Sequence, residues 1–225
     1  MPILDIKDIA KHTRLYIWRM DDNPHAEDSI PPSVRTRLQS VCNTRKEEMA
    51  AIYSILKEAA GDESLIIEHE PCGKPFLTIN GISTEHKISI THTRGYASII
   101  LSTTRAVAVD MEYRDGRITR IADRFLRTEE LERIVKQSPS NESCRKYDYD
   151  TLTRLILHWC AKETMYKYYS DKRLTFQNML VSDIGEIANE GCFECKNLIN
   201  SENMKIHFTQ NEDFILTYCS ENSQI

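Results

Sequence analysis

The sequence lacks any apolar run of the roughly 20 residues that a membrane-spanning helix requires. Its first residues, "MPILDIKDIA", lack the basic segment and apolar stretch of a secretory signal. We therefore expect a cytoplasmic protein with no membrane partner. Sequence repeats and low-complexity tracts are also missing, and 40% hydrophobic with 28% charged residues is typical of a globular protein.

Excess positive charge and an ordered cysteine pattern are missing as well. The formal net charge of -5 argues against nucleic acid as a partner, although a local basic patch can still bind a phosphorylated small molecule. Seven cysteines at irregular positions favour a reduced compartment over a disulfide framework. The CxxC of Cys192 and Cys195 has no second pair, so we expect ordinary thiols rather than a four-ligand zinc site.

Hydrophobic periodicity predicts an α+β protein with strands in both halves of the chain. Apolar positions at helical spacing predict helices over 34–60, 117–137 and 152–169. Runs rich in β-branched residues within 86–113 predict three strands in an antiparallel meander. Residues 71–81, with two glycines and two prolines, are predicted to be a loop.

Two carboxylates stand two residues apart at the end of an apolar strand, "AVAVDMEY". Asp110 and Glu112 therefore project from the same face of that strand. Carboxylates held side by side repel, and a hard divalent cation such as Mg²⁺ or Mn²⁺ relieves that repulsion. The alternative is a strand end that emerges into solvent.

The helix predicted over 152–169 carries charge among apolar residues. Trp159, Glu163 and Lys167 are four residues apart and lie along one face. One interpretation is an exposed Glu–Lys pair with no function. The other is a third metal ligand, with a lysine one turn away to neutralise phosphoryl oxygens.

A third polar group occurs in "ISITHT". His92 lies between Thr91 and Thr93 where a strand gives way to a turn, and imidazole with hydroxyl groups suits a phosphate. A structural role for His92 is the alternative. Lys74, in "GKPFL", lies in a segment whose glycine and proline restrict the backbone.

Five segments in order give the sequence a family resemblance: GKPFL (73–77), ISITHT (88–93), VAVDMEY (107–113), RFLRTEE (124–130) and WCAKETMYK (159–167). Over residues 35–180 the chain resembles the 4′-phosphopantetheinyl transferases. It looks like the longer, monomeric, surfactin-synthetase-activating class.

The resemblance implies two similar α/β halves with antiparallel sheets, packed about a pseudo-twofold axis with coenzyme A (CoA) in the cleft between them. The halves would be 1–115, on the CoA-binding side, and 116–225, on the metal and carrier side. It further implies Mg²⁺-dependent (or Mn²⁺-dependent) transfer of 4′-phosphopantetheine from CoA to a serine of an apo acyl or peptidyl carrier protein. The second product would be 3′,5′-ADP.

The resemblance also assigns roles to individual residues. Asp110, Glu112 and Glu163 would hold the metal, and Glu163 or Glu129 would accept the serine proton, with Lys167 as a third catalytic side chain. The side chains implied to contact CoA are Arg45, Lys46, Lys74, His92, Lys162 and Lys167. Apart from the resemblance, we expect the arginine-rich residues 114–127 and the polar segment 137–150 to form the surface that binds an acidic helix of the carrier; a solvated helix face is the alternative for about half of these arginines.

Three positions depart from the family pattern. Ala108 replaces the usual glycine, Thr91-His92-Thr93 replaces Ser-His-Ser or Ser-His-Thr, and Tyr53 stands where many members have arginine. Two alternative functions stay open, the first because carboxylates with a lysine also serve phosphate hydrolysis and the second because of Tyr53. One is a Mg²⁺-dependent phosphodiesterase or nuclease, and the other is a module that binds CoA or a carrier protein without transfer activity.

Overall fold

A computed structural model describes residues 3–20, 26–137, 148–170 and 173–221. The chain forms two compact units, one of Met1–Val109 with Ser220–Ile225 and one of Asp110–Cys219. The α+β class is confirmed, because each unit combines antiparallel strands with a long helix. The pseudo-twofold axis and the roles given to the halves 1–115 and 116–225 stay predictions.

The first unit contains two sheets. Its elements are β1 (Ile3–Ala10), β2 (Thr13–Arg19), α1 (Pro32–Leu38), α2 (Asn43–Ala60), β3 (Leu65–His69), β4 (Pro75–Ile79), β5 (Ile82–Ser83), β6 (Lys87–Thr93) and β7 (Tyr96–Ser102). One sheet has the strand order β1-β2-β7-β6 and the other has the order β3-β4-β5.

Helix α2 forms the core of this unit together with the strands. Its buried side chains include Ile52 and Ile55, which belong to the same apolar cluster as Trp18 and Ile99. The helix ends at Gly61, whose φ of 65° is accessible to glycine at little cost, and whose N–H donates to the Lys57 carbonyl at 3.0 Å. This packing holds α2 against β2 and β7.

The second unit contains one five-stranded sheet, and its longest helix packs on that sheet. Its elements are β8 (Val107–Tyr113), which begins in the first unit, α3 (Ala122–Phe125), α4 (Thr128–Gln137), α5 (Tyr149–Tyr169), β9 (Met179–Val181), β10 (Glu190–Asn197), β11 (Glu202–Gln210) and β12 (Phe214–Ser220). The strand order is β8-β12-β11-β10-β9.

Local contacts explain where α5 begins and how it lies on the sheet. The Asp148 side chain accepts a hydrogen bond from the Thr151 N–H at 2.7 Å, which is the usual chemistry of a helix N-cap. Farther along, the buried hydroxyls of Thr164 and Thr217 are 2.7 Å apart and tie α5 to β12. These contacts hold the helix over the strand that pairs with β8.

Several predicted elements are wrong in detail. The third strand of the expected meander, β8, pairs with β12 rather than with β7. The predicted loop over 71–81 contains strand β4. The helix predicted over 34–60 breaks before Cys42, whose backbone is extended, and the helix predicted over 117–137 breaks at Leu126 for the same reason.

Two further predictions concern the surface and the cysteines. Most of the polar segment 137–150 lies outside the described residues. Cys192 is exposed and Cys195 is buried on β10, and an odd separation along a strand places them on opposite faces.

Among the described residues, no helix combines the length and apolar character needed to cross a bilayer.

Candidate active site

The second unit brings a carboxylate of β8 against a lysine of α5. Asp110 Oδ1 accepts a hydrogen bond from Lys167 Nζ at 2.7 Å, and the Asp110 side chain is only 9% exposed. Burial strengthens this ion pair, because little water remains to screen the two charges. The structure thus joins two of the residues that the sequence predicted to act together.

Glu112 lies two residues farther along β8 and contacts the same helix. Its Oε1 atom accepts a hydrogen bond from Trp159 Nε1 at 3.1 Å. The Trp159 ring is held between Phe125 and Phe176, each with its ring centroid 5.2 Å away. A packed aromatic side chain therefore orients this carboxylate.

Glu163 is the most strongly perturbed carboxyl of the group. Burial, then the negative charges of Asp110 and Glu112, raise its pKa to about 7, while Lys167 opposes the shift. Burial also raises the pKa of Glu112, with Asp110 adding to the effect and the Trp159 hydrogen bond opposing it. The three carboxyl groups and Lys167 therefore form one electrostatically coupled cluster, which we call the acidic cluster.

The donor chemistry of the acidic cluster fits a divalent cation. Hard oxygen ligands suit Mg²⁺ or Mn²⁺, and a cation would relieve the repulsion that adds to the effect of burial on the pKa of Glu163. In the present side-chain conformations, however, no three His, Cys, Asp or Glu side chains among the described residues converge closely enough to hold a metal. Asp110 is engaged by Lys167 and Glu112 by Trp159.

Lys162 was expected to contact CoA, and its position argues against that role. Its ammonium group is fully buried and donates to Glu130 Oε2 at 2.6 Å, the Phe125 carbonyl at 2.8 Å and the Phe176 carbonyl at 3.2 Å. Since an ammonium group has three N–H donors, all of them are used within the fold. We therefore assign Lys162 to the core and do not carry it into the proposed site.

Of the two neighbouring glutamates on α4, Glu130 is the buried one, whereas the resemblance pointed to Glu129. The Glu130 carboxylate is fully buried and also accepts hydrogen bonds from the N–H groups of Arg127 and Val181, at 2.8 and 2.7 Å. The Glu129 side chain is 52% exposed and pairs with Arg127 at 2.9 Å. Its predicted part in proton transfer stays a prediction.

In the first unit, two of the residues expected at the CoA 3′-phosphate meet. Arg45 Nη1, near the start of α2, lies 3.1 Å from His92 Nε2, near the end of β6. Glu48 bridges them: its two carboxylate oxygens lie 3.0 Å from Arg45 Nη1 and 3.2 Å from His92 Nδ1. We call these three side chains the Arg45 triangle.

The other two expected cations of this unit are half-buried. Lys46 follows Arg45 on α2. Lys74 immediately precedes β4, and its carbonyl accepts from the Glu70 N–H at 2.9 Å. It lines a cavity of about 490 Å³ together with Phe76, Lys87 and Ile88.

Sequence reasoning missed three residues at these clusters: Glu48, Glu130 and Trp159 as a hydrogen-bond donor. Two carried a local signal. Glu48 stands three residues after Arg45, which is a favourable spacing for an ion pair on a helix. Glu130 occupies the third position of α4, where a glutamate can reach back to the N–H before the helix.

Comparison with known families gives one result. Residues 106–219, just over half of the chain, match the model of the 4′-phosphopantetheinyl transferase superfamily. A search of characterised proteins found no significant match. The matched segment includes every residue of the acidic cluster.

Proposed function

Since the chain belongs to the 4′-phosphopantetheinyl transferase superfamily, we propose that it transfers 4′-phosphopantetheine from CoA to a serine hydroxyl of an apo carrier protein. One observation carries the proposal: the matched segment brings three coupled carboxyl groups and a lysine together at the junction of β8 and α5. Such a group suits a phosphoryl-transfer site that binds a cation and a pyrophosphate.

In this proposal Asp110, Glu112 and Glu163 hold a divalent cation, Mg²⁺ or Mn²⁺. When bound, the cation would neutralise charge on the CoA pyrophosphate and stabilise the charge that develops on the leaving group. Lys167, now paired with Asp110, would contribute a positive charge to the phosphate oxygens. Trp159 would keep Glu112 oriented toward the site.

The reaction forms one P–O bond and breaks another. The serine oxygen attacks the CoA phosphorus nearer the pantetheine, the bond to the adenosine-side phosphate breaks, and 3′,5′-ADP leaves. The serine proton needs an acceptor whose pKa is near the working pH. We assign that role to Glu163, which belongs to the acidic cluster, in preference to the exposed Glu129.

We further propose that the first unit binds the other phosphate of the donor. Arg45 and His92, already in contact, would bind the 3′-phosphate, and Lys46, the next residue on α2, is proposed as a further cation for it. Lys74 would contact a CoA phosphate from its cavity beside Phe76. Tyr53, at the position where many members carry arginine, is buried, and its hydroxyl accepts from the Ile67 N–H at 3.1 Å. It takes no part in this proposed contact.

The carrier protein is proposed to bind the exposed arginines that precede α4. Arg120 and Arg124 are exposed, and an acidic helix of a carrier would complement them. Arg114 is excluded from this surface, because its guanidinium donates to the Asn211 carbonyl at 2.7 Å and Thr153 Oγ1 at 2.7 Å. We expect the protein to act as a monomer that meets its carrier transiently.

The test is a transfer reaction followed by mass spectrometry. The protein is incubated with CoA, Mg²⁺ and an apo acyl or peptidyl carrier protein, and the carrier should gain the mass of one phosphopantetheine group. Asp110→Asn and Glu163→Gln remove one negative charge each from the acidic cluster and should abolish the gain. Glu132→Gln makes the same kind of change at an exposed position of α4 and should leave it intact.

Spectra of the nucleotide, recorded together with those of the carrier, separate the alternatives. A phosphodiesterase would cleave CoA without modifying the carrier, and a binding module would do neither. Full transfer by Asp110→Asn, or by the unmodified protein in excess EDTA, would show that the acidic cluster is not the metal site.

A further inference from the structure

The Arg45 triangle contains a carboxylate where the proposed function calls for a ligand phosphate. Glu48 is the least exposed of its three side chains, at 16%, against 34% for His92 and 42% for Arg45. The negative charge therefore lies on the inner side of the cluster, within hydrogen-bonding distance of both partners.

The donors and acceptors of the Arg45 triangle can be assigned from chemistry. A guanidinium group only donates, so His92 Nε2 accepts from Arg45 Nη1. The imidazole proton is then on Nδ1, which donates to Glu48. In this arrangement His92 is neutral, and the charges of Arg45 and Glu48 cancel.

This arrangement leaves few N–H donors for an incoming anion at the centre of the Arg45 triangle. His92 Nε2 presents a lone pair there, not an N–H donor, and Arg45 Nη1 is shared between His92 and Glu48. A phosphate that binds Arg45 would lie close to the Glu48 carboxylate, and like charges at that separation repel.

We propose that Glu48 is a specificity-determining residue: it competes with the donor's 3′-phosphate for Arg45 and His92, and so weakens the selection for that phosphate. This inference rests on the proposed function for its ligand. The carboxylate sets how strongly the protein distinguishes CoA from donors that lack the 3′-phosphate.

Direct binding tests the inference without requiring transfer activity. Isothermal titration calorimetry would compare 3′,5′-ADP with 5′-AMP, which differ only in the 3′-phosphate, on the full chain. Glu48→Gln should raise the affinity ratio about 2- to 5-fold, the range that partly exposed ion pairs span. The matched control is Glu47→Gln, an exposed neighbour on α2 that loses the same charge and should leave the ratio unchanged.

Each other outcome overturns the inference. An unchanged or lower ratio in Glu48→Gln would mean that the carboxylate positions Arg45 and His92 and does not compete. An equal rise of the affinity ratio in Glu47→Gln would show that the effect comes from overall charge and not from Glu48 itself. If neither nucleotide binds, the Arg45 triangle is not a nucleotide site. Transfer is measured separately: a protein that passes the binding test but never modifies a carrier would refute the proposed function alone.

Discussion

Replacing Glu163 by glutamine should stabilise the metal-free protein while abolishing transfer. The pKa of this carboxyl is raised from 4.5 to about 7. A folded-state pKa above the unfolded value means that the folded state binds the proton more tightly, so stability is lost as pH rises between those two values. The shift corresponds to at most about 3 kcal/mol, and we expect about 1–3 kcal/mol because the side chain is partly solvated.

The two tryptophans allow the unfolding of the second unit to be followed separately from that of the first unit. Trp18 belongs to the core of the first unit and Trp159 to the second, so a Trp18→Phe background leaves Trp159 as the fluorescent reporter. Urea unfolding in EDTA would then compare the Trp18→Phe parent with the double variant Trp18→Phe/Glu163→Gln. The gain in stability should be large near pH 8 and should shrink toward about pH 5, where the folded protein already holds the proton.

Two controls make the result specific. Glu132→Gln in the same background changes an exposed carboxylate and should leave the unfolding free energy within about 0.5 kcal/mol. Saturating Mg²⁺ should stabilise the parent but have little effect on Glu163→Gln, because that variant lacks one proposed ligand. Equal stability of parent and variant at both pH values, or a loss of stability at the higher pH, would refute the coupling inferred for the acidic cluster.

Three other predictions follow from the remaining clusters. Lys162→Met leaves the Glu130 carboxylate buried without its ion-pair partner and should lower the unfolding free energy by about 3–5 kcal/mol in urea titrations; a loss below about 1 kcal/mol would contradict the buried pair. His92→Ala should shrink the preference for CoA over dephospho-CoA, measured as the ratio of kcat/KM, by about 2- to 10-fold, the range of a neutral hydrogen bond; an undiminished ratio would show that His92 does not contact the 3′-phosphate. Arg120→Glu with Arg124→Glu should raise the KM for the carrier with little change in kcat, and an unchanged KM would refute the carrier surface.

The positions of the charged residues along β8 and α5 could be predicted because they depend on local periodicity. A strand alternates faces every residue, which places Asp110 and Glu112 together. A helix returns to the same face after four residues, which places Glu163 and Lys167 together. Both elements exist as predicted, and the ion pair of Asp110 with Lys167 joins them.

The pairing of distant segments could not be predicted in the same way. Strand β8 pairs with β12, about a hundred residues later, and nothing in the pattern of β8 distinguishes that partner from the adjacent β7. The contact of Trp159 with Glu112 also depends on how the helix lies over the sheet. Similarly, Arg45 and His92 are 47 positions apart, and only the packed unit shows that Glu48 lies between them.

Glu129 and Glu130 are neighbours on α4, yet their side chains lie in different environments. Neighbouring side chains on a helix point about 100° apart, so only one of them can face the core. Because α4 begins at Thr128, Glu130 is the residue that turns inward to Lys162, and Glu129 turns to solvent. The same geometry separates Lys162 from Glu163 on α5. The buried ion pair holds Lys162 toward α4, whereas the charge of Asp110 on β8 acts on Glu163, the next residue.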